Sequence, residues 1–310
     1  MGIVRRFTCA IALLGTVSMA SGCASMQSRS PRSPRATEPA AEQRGKADSL
    51  PTSLDGLAFV RDGKLYLVTG MTVSEIVRDG RIKLAAVSGG PGALLVTEEQ
   101  AAGAGVVLVD GARMEPGRTL LRVAEASTLL AVRFGRLGGQ LYRAIQGDPG
   151  ARLLKSPIAA PSTVKPVSLP GGFSGEFDVD ASSGGIVYTS ATQGPARLLA
   201  VGGPSRAREL TSALATIFAP AISAKGDAVC FTGQKRSGDQ IALWVLAASG
   251  GPARRLASTA GLVPTHPVFS EDGQWIAYRG GDDGLLRVVR VDGTQLQTTP
   301  FSADDAPFAW

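Results

Sequence analysis

A short pattern of two apolar runs joined by a glycine turn recurs along this chain, and it constrains the fold more than any other feature. The two clearest copies are residues 267–278 (PVFSEDGQWIAY) and 220–231 (PAISAKGDAVCF). Their turn glycines, Gly226 and Gly273, lie 47 residues apart. A repeat of this length indicates one supersecondary unit that is stacked in an array or arranged around an axis.

Weaker copies extend the pattern toward the N-terminus, at residues 177–188, 131–142 and 84–95 and, without a first apolar run, at 55–60. Units of about 40–45 residues, with short β-branched and aromatic runs between turns, are typical of four-stranded propeller blades. Residues 306–310 resemble the strand that the first copy lacks. The sequence therefore predicts an all-β fold, a six-bladed β-propeller of four-stranded antiparallel blades whose ring is closed by the C-terminal strand.

The best copy carries a family resemblance. The segment FSEDGQWIAY at residues 269–278, preceded by Gly250 and Gly251, is similar to the WD40-like repeats of TolB-type propellers. The family's usual Ser-Pro-Asp-Gly turn stands here as Ser-Glu-Asp-Gly, and the resemblance covers about residues 54–310. It implies a propeller-only relative, because about 30 linker residues stand where TolB carries an α/β domain. TolB's own partners are not transferred with it.

Residues 1–22 predict a signal peptide of the lipoprotein type. Two arginines precede an apolar run at residues 7–17, which is too short to span a bilayer. Small residues then lead to Cys23 in a setting that resembles a bacterial lipobox, although Ala20 stands where leucine is usual. We expect lipidation at Cys23 and anchoring in the membrane. The alternative is an ordinary secreted protein that is cleaved nearby.

Residues 23–50 predict a disordered tether rich in Ser, Pro and Arg, which leaves residues 51–310 for the propeller. The formal net charge of +6 resides mainly in the signal peptide and the tether. The propeller keeps only a small positive charge, which does not fit the basic surface of a nucleic-acid-binding protein. We expect an exported, membrane-anchored monomer that faces the extracytoplasmic side and does not bind nucleic acid.

A search for catalytic groups yields few candidates. The chain has one histidine, His266, which excludes a pair of histidine ligands for a metal. His266 is either a ligand contact at the mouth of the propeller channel or a solvated loop residue. Asp178 and Asp180 alternate along a predicted strand, so their side chains are expected on one face, although no calcium-loop motif surrounds them. Cys230 lies inside a predicted strand as a buried apolar residue.

These observations predict no catalytic, metal-binding or cofactor-binding residue. The favoured hypothesis is a non-enzymatic, lipid-anchored propeller that binds a protein or peptide partner at the cell envelope. One alternative is an enzyme of lactonase or lyase type, with a divalent ion held in the channel by Asp178, Asp180 and His266. Another is a sensor of cell-wall fragments. Part of this hypothesis rests on the fold alone, which does not determine function.

Overall fold

The computed structural model shows six consecutive antiparallel sheets. It describes residues 54–70, 72–77, 82–87, 93–100, 103–110, 115–123, 129–135, 139–148, 150–180, 183–190, 196–202, 207–211, 214–257, 263–281, 283–307 and 309–310. Every regular element in these ranges is a β-strand. Residues Ser49–Trp310 form one compact unit. The predicted signal peptide, Cys23 and the whole of the predicted tether lie outside the described residues.

Sheets 1 to 3 form the first half of the ordered chain. Sheet 1 has three strands, and sheets 2 and 3 have four each. Their strands are β1 (Ala58–Arg61), β2 (Lys64–Thr69) and β3 (Thr72–Val77); β4 (Ile82–Val87), β5 (Ala93–Gln100), β6 (Gly103–Asp110) and β7 (Glu115–Val123); and β8 (Leu129–Gly135), β9 (Gln140–Gln146), β10 (Ala151–Pro157) and β11 (Lys165–Val167).

Sheets 4 to 6 repeat the four-stranded meander three more times. Their strands are β12 (Phe177–Val179), β13 (Ile186–Ser190), β14 (Arg197–Val201) and β15 (Ala207–Thr211); β16 (Thr216–Ile222), β17 (Ala228–Gln234), β18 (Ala242–Ala247) and β19 (Arg254–Ala257); and β20 (Pro264–Phe269), β21 (Trp275–Gly280), β22 (Leu285–Arg290) and β23 (Gln297–Ser302). The strands predicted for these units match the observed ones to within a few residues.

The prediction of six four-stranded blades is wrong for sheet 1, so the structure has five four-stranded blades. The predicted C-terminal strand is reduced to a single antiparallel bridge between Ala58 and Ala309. Both backbone hydrogen bonds of that bridge form, with N···O distances of 2.7 and 2.9 Å. The physical reason is the short stretch between β23 and the terminus, which turns through Asp304 and Asp305 before it reaches β1.

Apolar clusters lie between consecutive sheets. Val187 and Phe231 pack between sheets 4 and 5, and Leu243 and Tyr278 pack between sheets 5 and 6. Phe59 packs with side chains of sheet 6 such as Leu286, so the last sheet also contacts the first. The first strands of neighbouring sheets contact one another around the ring. Residues on these first strands therefore face the middle of the propeller.

The turns between first and second strands follow the recurring motif. In sheet 5 the Ser223 hydroxyl accepts hydrogen bonds from the backbone N–H groups of Asp227 and Ala228. In sheet 6 the Ser270 hydroxyl accepts one from the N–H of Trp275. Gly226 and Gly273 adopt φ values of 71° and 73°, which glycine reaches without steric cost. Serine and glycine therefore recur at these turns because each supports the local backbone.

Candidate functional site

Two equivalent residues on the inner strands adopt an uncommon backbone conformation. Ala219 on β16 and His266 on β20 both have φ = 49°, and each precedes a proline. Strand pairing is interrupted by a bulge at both places. Non-glycine residues rarely adopt positive φ, and such positions cluster at functional sites. The repeat therefore builds the same kink into two neighbouring blades at the centre of the ring.

Asp178 on β12 joins three blades. Its carboxylate accepts a hydrogen bond from Arg133 Nε of sheet 3 at 3.0 Å, and another from the backbone N–H of Ile222 of sheet 5 at 2.9 Å. Burial raises the pKa of Asp178, while the Arg133 charge and the Ile222 N–H act in the opposite direction. Partly buried ion pairs offset their desolvation cost only when their remaining hydrogen bonds are satisfied. Asp178 therefore acts as a link between blades.

Glu176 precedes β12 and makes a second link from sheet 4 to sheet 5. Its Oε2 accepts a hydrogen bond from the N–H of Ala219 at 3.1 Å, which uses the backbone exposed by the kink. Thr189 donates a further, longer bond at 3.4 Å. Burial raises the pKa of Glu176, against the smaller effects of these two donors and of Arg133.

His266 faces the C-terminal segment. Its Nε2 lies 3.2 Å from Asp305 Oδ1, and Arg279 Nη1 lies 3.7 Å from the same oxygen. Burial lowers the pKa of His266, the Asp305 carboxylate raises it, and the charges of Arg133 and Arg279 lower it. Arg133 lies on β8 and His266 on β20, which are the first strands of sheets 3 and 6.

Asp180 lies apart from the other two predicted ligand contacts, Asp178 and His266. β12 ends at Val179, so Asp180 lies in the following turn, where it accepts a hydrogen bond from Ser183. Its carboxylate also lies directly against Gly226, the turn glycine of the next blade. Asp180 thus stands one residue beyond the strand that carries Asp178, and the two carboxylates have different partners. Asp178 and His266 remain the predicted contacts that face the centre.

Four residues of this central cluster carry no motif in the sequence: Arg133, Glu176, Arg279 and Asp305. Arg133 gives the clearest signal, since it is a cation within the inner-strand pattern AVRF of its repeat copy. The others become visible only when the ring brings their strands together. Within the described ranges, no group of three or more His, Cys, Asp or Glu side chains is arranged to hold a metal ion.

Cys230 is buried on β17, as predicted, and is not in a disulfide. Burial raises the pKa of its thiol, and the nearby Asp178 carboxylate raises it further. A thiol with a raised pKa is a poor nucleophile at neutral pH, which fits a packing role. In the part of the chain that the structure describes, no helix has the length and apolar character needed to cross a membrane.

Comparisons with known proteins bear on the fold. No family model and no curated protein matches the chain. Solved structures do match. TolB from Acinetobacter baumannii is 15% identical with a TM-score of 0.68, over 80% of this chain and 64% of that chain. A putative TolB from Agrobacterium tumefaciens is 17% identical with a TM-score of 0.52, over 60% of this chain and 65% of that chain.

A chain in the nidogen/laminin complex is also similar, with 12% identity and a TM-score of 0.60 over 78% of this chain and 92% of that chain. The protein thus spans less than two thirds of either TolB chain. At these identities the likeness concerns the fold. The five four-stranded meanders, the bridged first sheet and the central inner strands agree with it. The chain therefore folds as a TolB-like β-propeller.

Proposed function

We propose that this protein is a non-enzymatic, exported propeller that is anchored through a lipid on Cys23 and binds a protein or peptide partner at the cell envelope. The carrying observation is the use of the central carboxylates. Asp178 and Glu176 accept hydrogen bonds from Ile222 and Ala219 of the next blade. Groups that hold blades together are not free to bind an ion or to move a proton.

The resemblance of the N-terminus to a lipobox supports export and anchoring. The tether would carry the propeller away from the bilayer by about 25–30 Å as a flexible coil. Since the TolB-like structures differ from this chain in length and share little sequence with it, they support a scaffold role by analogy. The nidogen/laminin structure contains a similar fold within a complex between two proteins.

Sheet 1 has a structural role in this proposal. We propose that it closes the ring with the C-terminal segment, through the bridge between Ala58 and Ala309. Asp304 supports this with a backbone N–H bond of 2.8 Å to the carbonyl of Val60, and its carboxylate accepts one of 3.1 Å from the N–H of Gly63. A closed ring presents a rigid surface to a partner.

The proposal is tested by metabolic labelling with a palmitate analogue, followed by crosslinking in membranes. We expect label on the wild-type protein and none on Cys23→Ala. We also expect the wild type to crosslink to a discrete envelope protein with the tether intact. Label on Cys23→Ala, or a wild type that is neither labelled nor crosslinked, would contradict the proposal.

The competing enzyme hypothesis is tested by melting. Binding to the folded state raises Tm, so Ca²⁺ or Mg²⁺ in the channel would raise it by several degrees. We expect no rise with either ion. A rise that disappears in Asp178→Asn would favour the channel enzyme over the scaffold.

A further inference from the structure

Each blade takes the number of its sheet, so blade 5 is the sheet of β16 to β19. It carries a surface cleft that lies outside the central cluster. The cleft has a volume of about 520 Å³, within the range typical of ligand sites. It lies along β18 and β19 and beside the loop that joins β17 to β18. Its lining residues are Lys235, Asp239, Gln240, Trp244 and Arg255. The lining thus combines one aromatic side chain, Trp244, with two cations, Lys235 and Arg255.

The equivalent positions of blade 4 show why the cleft exists. Strand pairing places Leu199 opposite Glu209 in blade 4 and Trp244 opposite Arg255 in blade 5. In blade 4 a cation on β14, Arg197, lies 3.7 Å from Glu209 and balances its charge. The residue of blade 5 that matches Arg197 is small.

That small residue is Ala242, which pairs with Gly233 as Arg197 pairs with Ser190. Blade 5 therefore lacks both members of the ion pair. A cation replaces the acid, and the buried Ala242 stands in place of the arginine.

The cations of the cleft form few hydrogen bonds or ion pairs with described residues. Lys235 has no hydrogen-bond or ion-pair partner in the described part of the chain, and Arg255 reaches only Gln240 Oε1 at 3.4 Å. By contrast, Asp239 Oδ2 accepts a 2.9 Å bond from the N–H of Arg236, which fixes the loop. The cleft and its loop thus hold three cations, Lys235, Arg236 and Arg255, against the single carboxylate of Asp239.

Trp244 is held in place to serve as a platform. Its Nε1 donates a 3.0 Å hydrogen bond to the carbonyl of Gly233, and the ring packs partly into the core between blades 4 and 5. Its remaining surface lines the cleft. A ring fixed in this way offers apolar contact area without losing rotamer freedom on binding.

We propose that this cleft docks an acidic peptide segment of a partner protein, with carboxylates at Lys235 and Arg255 and an apolar side chain on Trp244. Charge complementarity selects this occupant, because weakly engaged arginine and lysine side chains favour carboxylates. The protein's own tether has more cations than acids and is disfavoured for the same reason. This inference rests on the proposed function and gives the partner a chemistry and a position.

The test uses the full chain and a fluorescein-labelled peptide of alternating Glu and Phe, with fluorescence anisotropy as the readout. We expect binding that weakens with added salt. Arg255→Glu, which copies the acid of blade 4, weakens binding by about tenfold or more, and Trp244→Leu weakens it by about fivefold. The matched control is Lys225→Glu, an exposed lysine in the turn between β16 and β17. It changes the net charge equally, and we expect its affinity to stay within about twofold of wild type.

Three results would overturn the site: no binding of this peptide to the wild type, equal binding of the peptide with Gln in place of Glu, or equal weakening by Arg255→Glu and Lys225→Glu. The envelope crosslink separates this inference from the proposed function. If Arg255→Glu still forms the wild-type crosslink, the cleft is not the docking site and the proposed function stands. If the wild type binds the peptide but is neither labelled nor crosslinked in membranes, the proposed function fails while the peptide site remains.

Discussion

The junctions between blades 4, 5 and 6 are built differently from the seam between blade 6 and sheet 1. At the first two junctions, an arginine on the outer strand donates to carbonyl groups in a turn of the next blade. Arg208 of blade 4 contacts the carbonyls of Ala248 and Ser249, and Arg254 of blade 5 contacts those of Val291 and Asp292. These contacts recur at matching positions of the repeat.

The seam depends on backbone pairing instead. Ala58 and Ala309 exchange two backbone hydrogen bonds, and Asp304 adds one to Val60 of β1 and one to Gly63 in the turn after it. Trp310 packs against the apolar cluster that sheet 6 shares with sheet 1. Neighbouring blades elsewhere are joined by the chain itself, whereas this seam joins its two ends. The difference teaches that the repeat itself supplies the arginine contacts between blades 4, 5 and 6, while ring closure depends on a few C-terminal residues.

Deleting residues 306–310 should break the seam with the largest effect. It removes the bridge and the packing of Trp310, at a cost of about 3–5 kcal/mol. For a domain of this size we expect Tm to fall by about 10 °C or more, or the soluble protein to be lost. Differential scanning calorimetry measures this. A truncated protein that melts like the parent contradicts ring closure by the C-terminus.

A single substitution in the bridge sharpens the test. Ala309→Pro removes the N–H that donates to the Ala58 carbonyl, and we expect a loss of about 2 kcal/mol in the free energy of unfolding. Ala309→Gly keeps the N–H and should lose only about 1 kcal/mol, from backbone entropy. Urea unfolding compares the two. Equal losses would mean that the hydrogen bond contributes nothing.

The other kind of junction is tested by a neighbouring pair of arginines. Arg254→Ala removes the two contacts to blade 6, and we expect a loss of about 1 kcal/mol. Arg255→Ala should change stability by less than about 0.5 kcal/mol, since its side chain is exposed and, among the described residues, contacts only Gln240. For binding of the acidic peptide we expect the opposite order, with a larger loss of affinity in Arg255→Ala than in Arg254→Ala. If both variants are equally stable, the contacts of Arg254 with blade 6 do not contribute measurably to stability.

The smallest effect concerns pH at the central cluster. The folded pKa of Glu176 is raised above its ordinary value of 4.5, mainly by burial, so its ionised form destabilises the fold. Glu176→Gln keeps an acceptor for the Ala219 N–H, and we expect it to be more stable than wild type at pH 7. The difference should shrink as pH falls through the raised folded pKa and vanish below 4.5, where the wild-type carboxyl is protonated in both the folded and the unfolded state. Thermal melts at several pH values measure it, and a difference that grows toward acid would show that the sign is wrong.

Local features of this fold were readable from the sequence because they repeat. Residues 220–231 and 267–278 each contain a serine, a glycine and two apolar runs, and each forms a hairpin with the predicted turn. The position of the C-terminal segment beside β1 also followed from the missing strand. The number of four-stranded blades did not, because the extent of pairing depends on how the chain turns after β23.

The site was harder to predict, since its contacts join strands that are distant in sequence. Arg133 of sheet 3 contacts Asp178 of the neighbouring sheet 4, and Asp305 near the C-terminus contacts His266. Asp180 lies just beyond the end of β12, and its contact with Ser183 depends on the turn that follows. The cleft at Trp244 requires a comparison of registers in two blades, which no motif contains.

Amide hydrogen exchange of Ala58 and Ala309 tests the closed ring most directly. Both residues are fully buried and donate to each other's carbonyl groups. We expect the two N–H groups to be protected to the same degree in the wild type. In Ala309→Pro, which has no N–H at position 309, we expect the Ala58 N–H to lose its protection. A protected Ala58 beside an Ala309 that exchanges at the rate of an unstructured chain would contradict the closure on which this account depends.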